Sequence, residues 1–119
     1  MSEILNKLNA LSGVKASIIL LNQKPLMSTI RKDQLIYVKI GQQAFGHIFK
    51  KAIRYNPQYD EAQLQMGDQR LLSLLLDNGG LYLALLDSSA SVQKAQRVLR
   101  ESRPVLNKVI ARALQKAAQ

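Results

Sequence analysis

The sequence predicts an α+β chain: a three-layer α/β/α sandwich on a five-stranded antiparallel sheet, in the order α-β-β-α-β-β-β-α. Three observations carry that expectation. The stretch "RLLSLLLDNGGLYLALLD" (Arg70–Asp87) has eleven Leu, Tyr or Ala among its eighteen residues, split by Asp-Asn-Gly-Gly. Asn-Gly between two short apolar arms is a strong hairpin signal, because its tight turn needs positive φ. A hairpin resting on one side of a core would alternate apolar and polar residues, so continuously apolar arms imply strands covered on both faces. Second, helical apolar periodicity occurs at three places, near the start, the middle and the end of the chain. Third, "AQLQM" (Ala62–Met66) alternates cleanly, with Ala62, Leu64 and Met66 on one side and Gln63 and Gln65 on the other.

Taken in order, Ser2 is placed to cap a short helix whose Ile4, Leu5, Leu8 and Leu11 share a face, and Gly13 is placed to end it. Val14–Leu21 is β-rich and predicts a central strand. Asn22–Pro25 turns the chain, and Leu26–Ile30 returns as an edge strand, where Pro25, Arg31 and Lys32 do least harm. Asp33 is expected to cap a helix over Gln34–Tyr55. Its apolar or small stripe is Tyr37, Gly41, Ala44, Phe45, Ile48, Ala52 and Tyr55, with Val38, Phe49 and Ile53 beside it. That arc is wide for a helix with one surface to cover. Gly41, Ala44 and Gly46 are small enough to admit another backbone. Asn56–Glu61 is the loop out, followed by the Ala62–Met66 strand, a Gly67–Gln69 turn, and strands over Leu71–Leu76 and Leu81–Leu86. "SSAS" then opens a helix to about Ala117, with Val92, Ala95, Leu99, Leu106, Val109, Ala113 and Ala117 on one stripe and a kink expected at Pro104. The first and last helices are expected on one face of the sheet and the middle helix on the other.

The 119 residues read as a single domain (1–119). No cysteine is present, which excludes disulfide and thiolate-zinc frameworks and fits a reducing cytoplasm. The start, "MSEILNKLNAL", has no secretory pattern, and no window supports a membrane span. Little supports an enzyme. There is no G-x-x-x-x-G-K-[ST] loop. His47 is the sole histidine and reads as a surface or interface side chain, so neither a metal site nor a His-based triad has partners. Asp60 and Glu61 are adjacent and should point apart. No cofactor is expected.

At this point the chain resembles the roadblock/LC7 family: dynein roadblock light chains, paired subunits of the lysosomal Ragulator scaffold, and bacterial gliding-motility regulators of a Ras-like GTPase. The likeness lies in the amphipathic helix ending in "LSGVKASIILL" and in "AQLQMGDQRLLSLLLDNGGLYLALLDSSAS". One departure is "NQKP", where many relatives carry an Asp-Gly type of turn. The resemblance implies a dimer, with itself or a paralogous subunit, in which middle helices pair antiparallel and third strands join edge to edge. Here those positions are Tyr37, Gly41, Ala44, Phe45 and Ile48, with Ala62, Leu64 and Met66. It further implies a non-catalytic scaffold for a small Ras-like GTPase, though no GTPase-contacting residue carries over from the family. The charged side of the middle helix, Lys39, Lys50, Lys51 and Arg54, is expected around the seam and is the surface such a partner would meet.

A rival reading starts from the charge. Seventeen Lys/Arg against eight Asp/Glu give +9, which permits acidic partners and selects none. Lys94, Arg97, Lys108 and Arg112 lie opposite the apolar stripe of the last helix, with Arg100 and Arg103 nearby. Nucleic acid or an anionic surface could bind such a row through counterion release. Against that, no aromatic residue interleaves the charges and Glu101 sits among them.

Overall fold

The structure is a computed structural model that describes residues 3–55, 61–87 and 89–118; of residues 12, 51–55 and 118 it describes the backbone alone. Helix α1 (Glu3–Ser12) ends where Gly13 takes φ +74°, and Gly13 and Val14 both donate backbone hydrogen bonds to the carbonyl of Asn9. Strands β1 (Ala16–Leu21) and β2 (Lys24–Ser28) form the first hairpin. A 3-10 turn (Lys32–Gln34) leads into α2 (Leu35–Tyr55). Strands β3 (Glu61–Met66), β4 (Gln69–Leu75) and β5 (Leu81–Asp87) follow, and α3 (Val92–Ala118) closes the chain.

All five strands form one antiparallel sheet in the order β2-β1-β5-β4-β3. Alternation along each strand splits the core in two. Ile19, Leu72, Leu74, Tyr82 and Leu86 face α1 and α3, where they meet Leu5, Leu8, Leu99, Leu106 and Ile110. Ile18, Leu20, Leu71, Leu83 and Leu85 face α2 and meet Val38, Phe45 and Phe49. The expected fold class and the assignment of helices to faces are therefore both present. Double coverage is why the Leu71–Leu76 and Leu81–Leu86 arms are apolar at nearly every position; the exception, Ser73, is buried and donates to the Ala62 carbonyl at 3.2 Å.

Turn chemistry follows the residues. Asn78 (φ 59°) and Gly79 (φ 77°) are the central residues of the β4–β5 turn, closed by the Gly80 amide donating to Asp77 O at 3.1 Å. The Asn107 side chain holds this turn to α3, accepting from the Asp77 amide at 2.8 Å. At the other end, Asn9 ties α1 to the first hairpin. It accepts from Ser17 Oγ at 2.7 Å and donates to Thr29 Oγ1 at 3.1 Å.

Several local expectations shift. β2 begins at Lys24, so Pro25 lies inside the edge strand rather than before it. Asp33 sits within the 3-10 turn and pairs with Arg31 at 3.5 Å, while Gln34 Oε1 accepts from the Arg31 amide at 2.9 Å. The buried amide of Gln34 thus closes this turn in place of the expected aspartate cap. Leu11 is 56% exposed, because the α1 face turns from the sheet toward α3. Helix α3 runs unbroken through Pro104, as expected, but Ile110, outside the expected stripe, is the last fully buried of its described side chains.

Candidate functional site

Helix α2 lies over β4 with Val38, Gly41, Phe45 and Phe49 turned to the sheet. Phe45 and Phe49 stack one turn apart, ring centroids 6.4 Å from each other. A β-carbon at Gly41 would stand 2.9 Å from Leu71 Cδ2, so the glycine lets the helix approach its own sheet. Gly41 and Phe45, expected at a dimer seam, are consumed by this internal contact; Phe45 has no exposed surface.

What α2 leaves uncovered is a flank. Ile36 (61% exposed), Ile40 (43%) and Ile48 (37%) recur at four- and eight-residue steps, with the partly exposed Ala44 between them and Tyr37 alongside. Residues spaced by four share one side of a helix, so these form a continuous apolar strip. Ile36 and Ile40 were not among the residues singled out from sequence. Their spacing from Ala44 and Ile48 could have revealed them, had the wide arc been divided into an inward and an outward half.

Strand β3 is the outermost strand on its side of the sheet. Its Ala62, Leu64 and Met66 are partly buried against the α2-side core, while Gln63 and Gln65 are exposed on the opposite face. Met66 and Gln69 pair directly across a two-residue turn, which makes them a mutually hydrogen-bonded pair. Alternation from there aims the backbone N–H and C=O of Gln63 and Gln65 away from β4, toward an unoccupied edge. The α2 strip and the β3 edge are thus both left uncovered in the layer that α2 forms with the sheet.

Lys39 and Lys50 are exposed on α2, clear of the strip; the side chains of Lys51 and Arg54 lie outside the described residues. Lys39 also stands at the rim of a cavity of about 540 Å³ floored by Leu20, Phe49, Leu75 and Leu81. The other polar side chains there are glutamines, and Gln42 already donates to the Gln23 carbonyl at 3.3 Å. An amide-lined cavity with one cation offers neither a nucleophile nor an acid–base pair. His47 is exposed, and among the described residues no group of three metal-ligating side chains converges. Asp60 lies outside the described residues, and Glu61 accepts a bidentate contact from Arg100 of α3, with Nη2 to Oε2 at 2.9 Å. The Tyr82 phenol and the Asp87 carboxyl are displaced from their ordinary values, and neither borders this surface. Burial pushes the Tyr82 phenol up, an effect the nearby Ser17 hydroxyl only partly offsets. The Ser89 hydroxyl holds the Asp87 carboxyl down, helped by the Ser89 amide and by Lys15 at 4.0 Å.

On the opposite face, Lys94, Arg97, Lys108 and Arg112 are all exposed on α3, as expected, whereas Arg100 is engaged with Glu61 and Arg103 is partly buried. No described helix is long and apolar enough to cross a membrane.

Comparison with solved structures decides the fold. The gliding protein MglB of Thermus thermophilus superposes with a TM-score of 0.68, at 14% identity, over 90% of this chain and 85% of that one. A roadblock/LC7 domain from Streptomyces avermitilis gives 0.61 at 11% identity, covering 82% and 92%. The fold is roadblock/LC7, of the MglB type. A further MglB, described in a tetrameric arrangement, matches this chain with a TM-score of 0.73 at 12% identity, over 93% and 88%. No protein-family model and no curated protein matches the sequence.

Proposed function

We propose that this roadblock/LC7 chain is a non-catalytic dimeric scaffold that binds and regulates a small Ras-like GTPase. One observation carries the reading: the structure leaves uncovered both an apolar strip on α2 and a strand edge with outward backbone donors and acceptors. Two copies related by a two-fold axis can bury both at once, helix against helix and strand against strand. In the dimer so formed, Ile36, Ile40, Ala44 and Ile48 would supply the helix contact, and Ala62, Leu64 and Met66 would continue the core beneath it. The tetrameric arrangement of a structurally similar MglB supports self-association in this fold.

The GTPase partner is supported by the family resemblance and by the surface that dimerisation leaves free. Lys39 and Lys50 sit clear of the strip and would flank the paired helices. The chain has no phosphate-binding loop, so any influence on nucleotide state acts through differential contact with the partner's switch segments. A tenfold preference for one state corresponds to about 1.4 kcal/mol. Calorimetry with GTP- and GDP-loaded Ras-like GTPases from the source organism tests this directly. Tighter binding of the GTP form is expected, with loss in Lys39→Glu/Lys50→Glu while the dimer persists. Equal affinity for both states would reduce the chain to an adaptor, and no binding would defeat the proposal.

A further inference from the structure

On the face of the sheet away from α2, α1 and α3 leave an apolar groove of about 420 Å³ between them. Ile4, Leu8 and Leu11 form one wall, Val105 and Leu106 the other. Leu8, with the fully buried Leu106 beside it, lies at the floor, while Leu11 and Val105 (46% exposed) stand at the lips. We propose that this groove docks an acidic amphipathic helix of a partner protein.

The charge of this layer names the chemistry of the occupant. In α1, Glu3 and Lys7 cancel; in α3, seven Lys/Arg stand against Glu101. Six of the nine net positive charges of the chain therefore lie on these two helices. The whole of this excess stands on α3. Glu3 and Lys7 both line the α1 wall, which is neutral, so the charge of the groove is set by its α3 side. Lys108 and Arg112 follow Val105 by three and seven residues, which puts them on its side of α3. Among the described residues, no carboxylate lies within ion-pairing distance of Lys7, Lys108 or Arg112. A helix with apolar side chains at i, i+3, i+4 and i+7 would fill the trough, and acidic residues on the shoulder facing α3 would reach Lys108 and Arg112. A flat bilayer cannot reach the floor of a trough. A nucleic acid would find apolar walls and no aromatic side chain on either helix. The sheet separates this groove from the α2 strip, so its occupant need not compete with dimerisation or with a partner at α2.

The test uses the full chain and a fluorescent synthetic helical peptide of about 18 residues, with a Leu stripe and Glu on its polar face. Controls are the same peptide with Lys for Glu, duplex DNA, and vesicles containing phosphatidylserine. Anisotropy near 0.15 M salt should show the Glu peptide binding at least about tenfold more tightly than the Lys peptide. Amide shift changes should map to α1 and α3. Leu11→Ser with Val105→Ser changes only exposed side chains and should weaken the Glu peptide about tenfold without changing the melting temperature by more than a few degrees. Lys108→Glu with Arg112→Glu should abolish the preference for the Glu peptide. Equal affinity for both peptides, shifts on α2, indifference to the Leu11/Val105 change, or binding of duplex or vesicles in place of the peptide would each overturn the proposal.

Discussion

At one edge of the sheet, β2 meets solvent with Lys24, Pro25 and a register shift; at the other, β3 presents glutamines and regular backbone. Leu20 pairs with Pro25 and Ile19 with Met27, so Leu26 is an extra residue that bulges the β2 edge. Pro25 removes a donor from the same stretch. Both devices discourage edge-to-edge pairing. Along β3 every pair from Glu61↔Leu74 to Met66↔Gln69 is in register, with neither proline nor lysine. An isolated chain has the same reason to protect either edge from aggregation. Protecting one and leaving the other straight, in a chain that also leaves an apolar helix flank uncovered, is the pattern expected when the second edge has a specified strand to receive.

The strongest way to break this contrast is to give β3 what β2 already has. Gln63→Pro removes an outward N–H without touching the ladder to β4, so the monomer should keep its fold. Its ring would block a strand arriving at that edge. We expect light scattering to show a dimer for the parent and a monomer for the variant across the micromolar range, a loss of at least about a hundredfold in affinity. The reverse change sharpens the contrast: Pro25→Val with Leu26 deleted straightens β2 and should yield concentration-dependent species larger than a dimer. A Gln63→Pro chain that still dimerises would place the self-contact elsewhere.

A smaller effect distinguishes the two edges through their hairpins. The β3–β4 turn uses Gly67 at its positive-φ position, but the β1–β2 turn places Asn22 (φ 53°) and Gln23 (φ 67°) there. Asparagine tolerates the left-handed region; glutamine has no local hydrogen bond to compensate, and L-residues are disfavoured there by about 1–2 kcal/mol. Gln23→Gly should therefore stabilise the fold by about 0.5–1 kcal/mol, after the greater chain entropy of glycine when unfolded. Urea denaturation would show a higher midpoint at unchanged slope. The dimer constant should not move, because this turn belongs to the protected edge.

How much of this was legible in the residues depended on what each residue had to satisfy. The β4 and β5 arms announced double coverage because an apolar residue at nearly every position has one inexpensive explanation. The turn at Asn78–Gly79 was equally plain, since few residue pairs accept two positive φ values. The site was less legible. Helical spacing shows that α2 carries a broad apolar arc, but not which half the sheet consumes. Gly41 and Phe45 went inward because β4 needed a close approach at Leu71, and Ile36 and Ile40 were left outside. Asp33 resembled a helix cap by type, yet the chain entered α2 through a 3-10 turn closed by Gln34. Local pattern specifies periodicity, whereas the rotation of a helix about its axis is settled by the packing of the whole layer. The groove between α1 and α3 was out of reach for the same reason, being a property of two helices distant in sequence.

The smallest effect concerns how the open edge is held in place. Glu61, the first residue of β3, is joined to α3 by Arg100 through Nε and Nη2 contacts of 2.9–3.3 Å. The Arg100 side chain is 60% exposed and that of Glu61 25% exposed, so solvent screens most of the attraction. Such a pair contributes about 0.5 kcal/mol or less, even with favourable bidentate geometry. Glu61→Gln should accordingly change folding stability by no more than that, near the limit of a denaturation measurement. Its informative readout is local. If the pair fixes the start of β3 against α3, amide exchange should quicken at the first residues of β3 and stay unchanged along β2, where nothing depends on it. Dimer affinity should fall by about twofold, because an edge that frays must be ordered again before it receives a strand. A double-mutant cycle with Arg100→Gln separates the ion pair from the loss of either charge alone. Exchange that quickens equally at both edges would show that the pair supports the sheet as a whole and has no particular role at the open one.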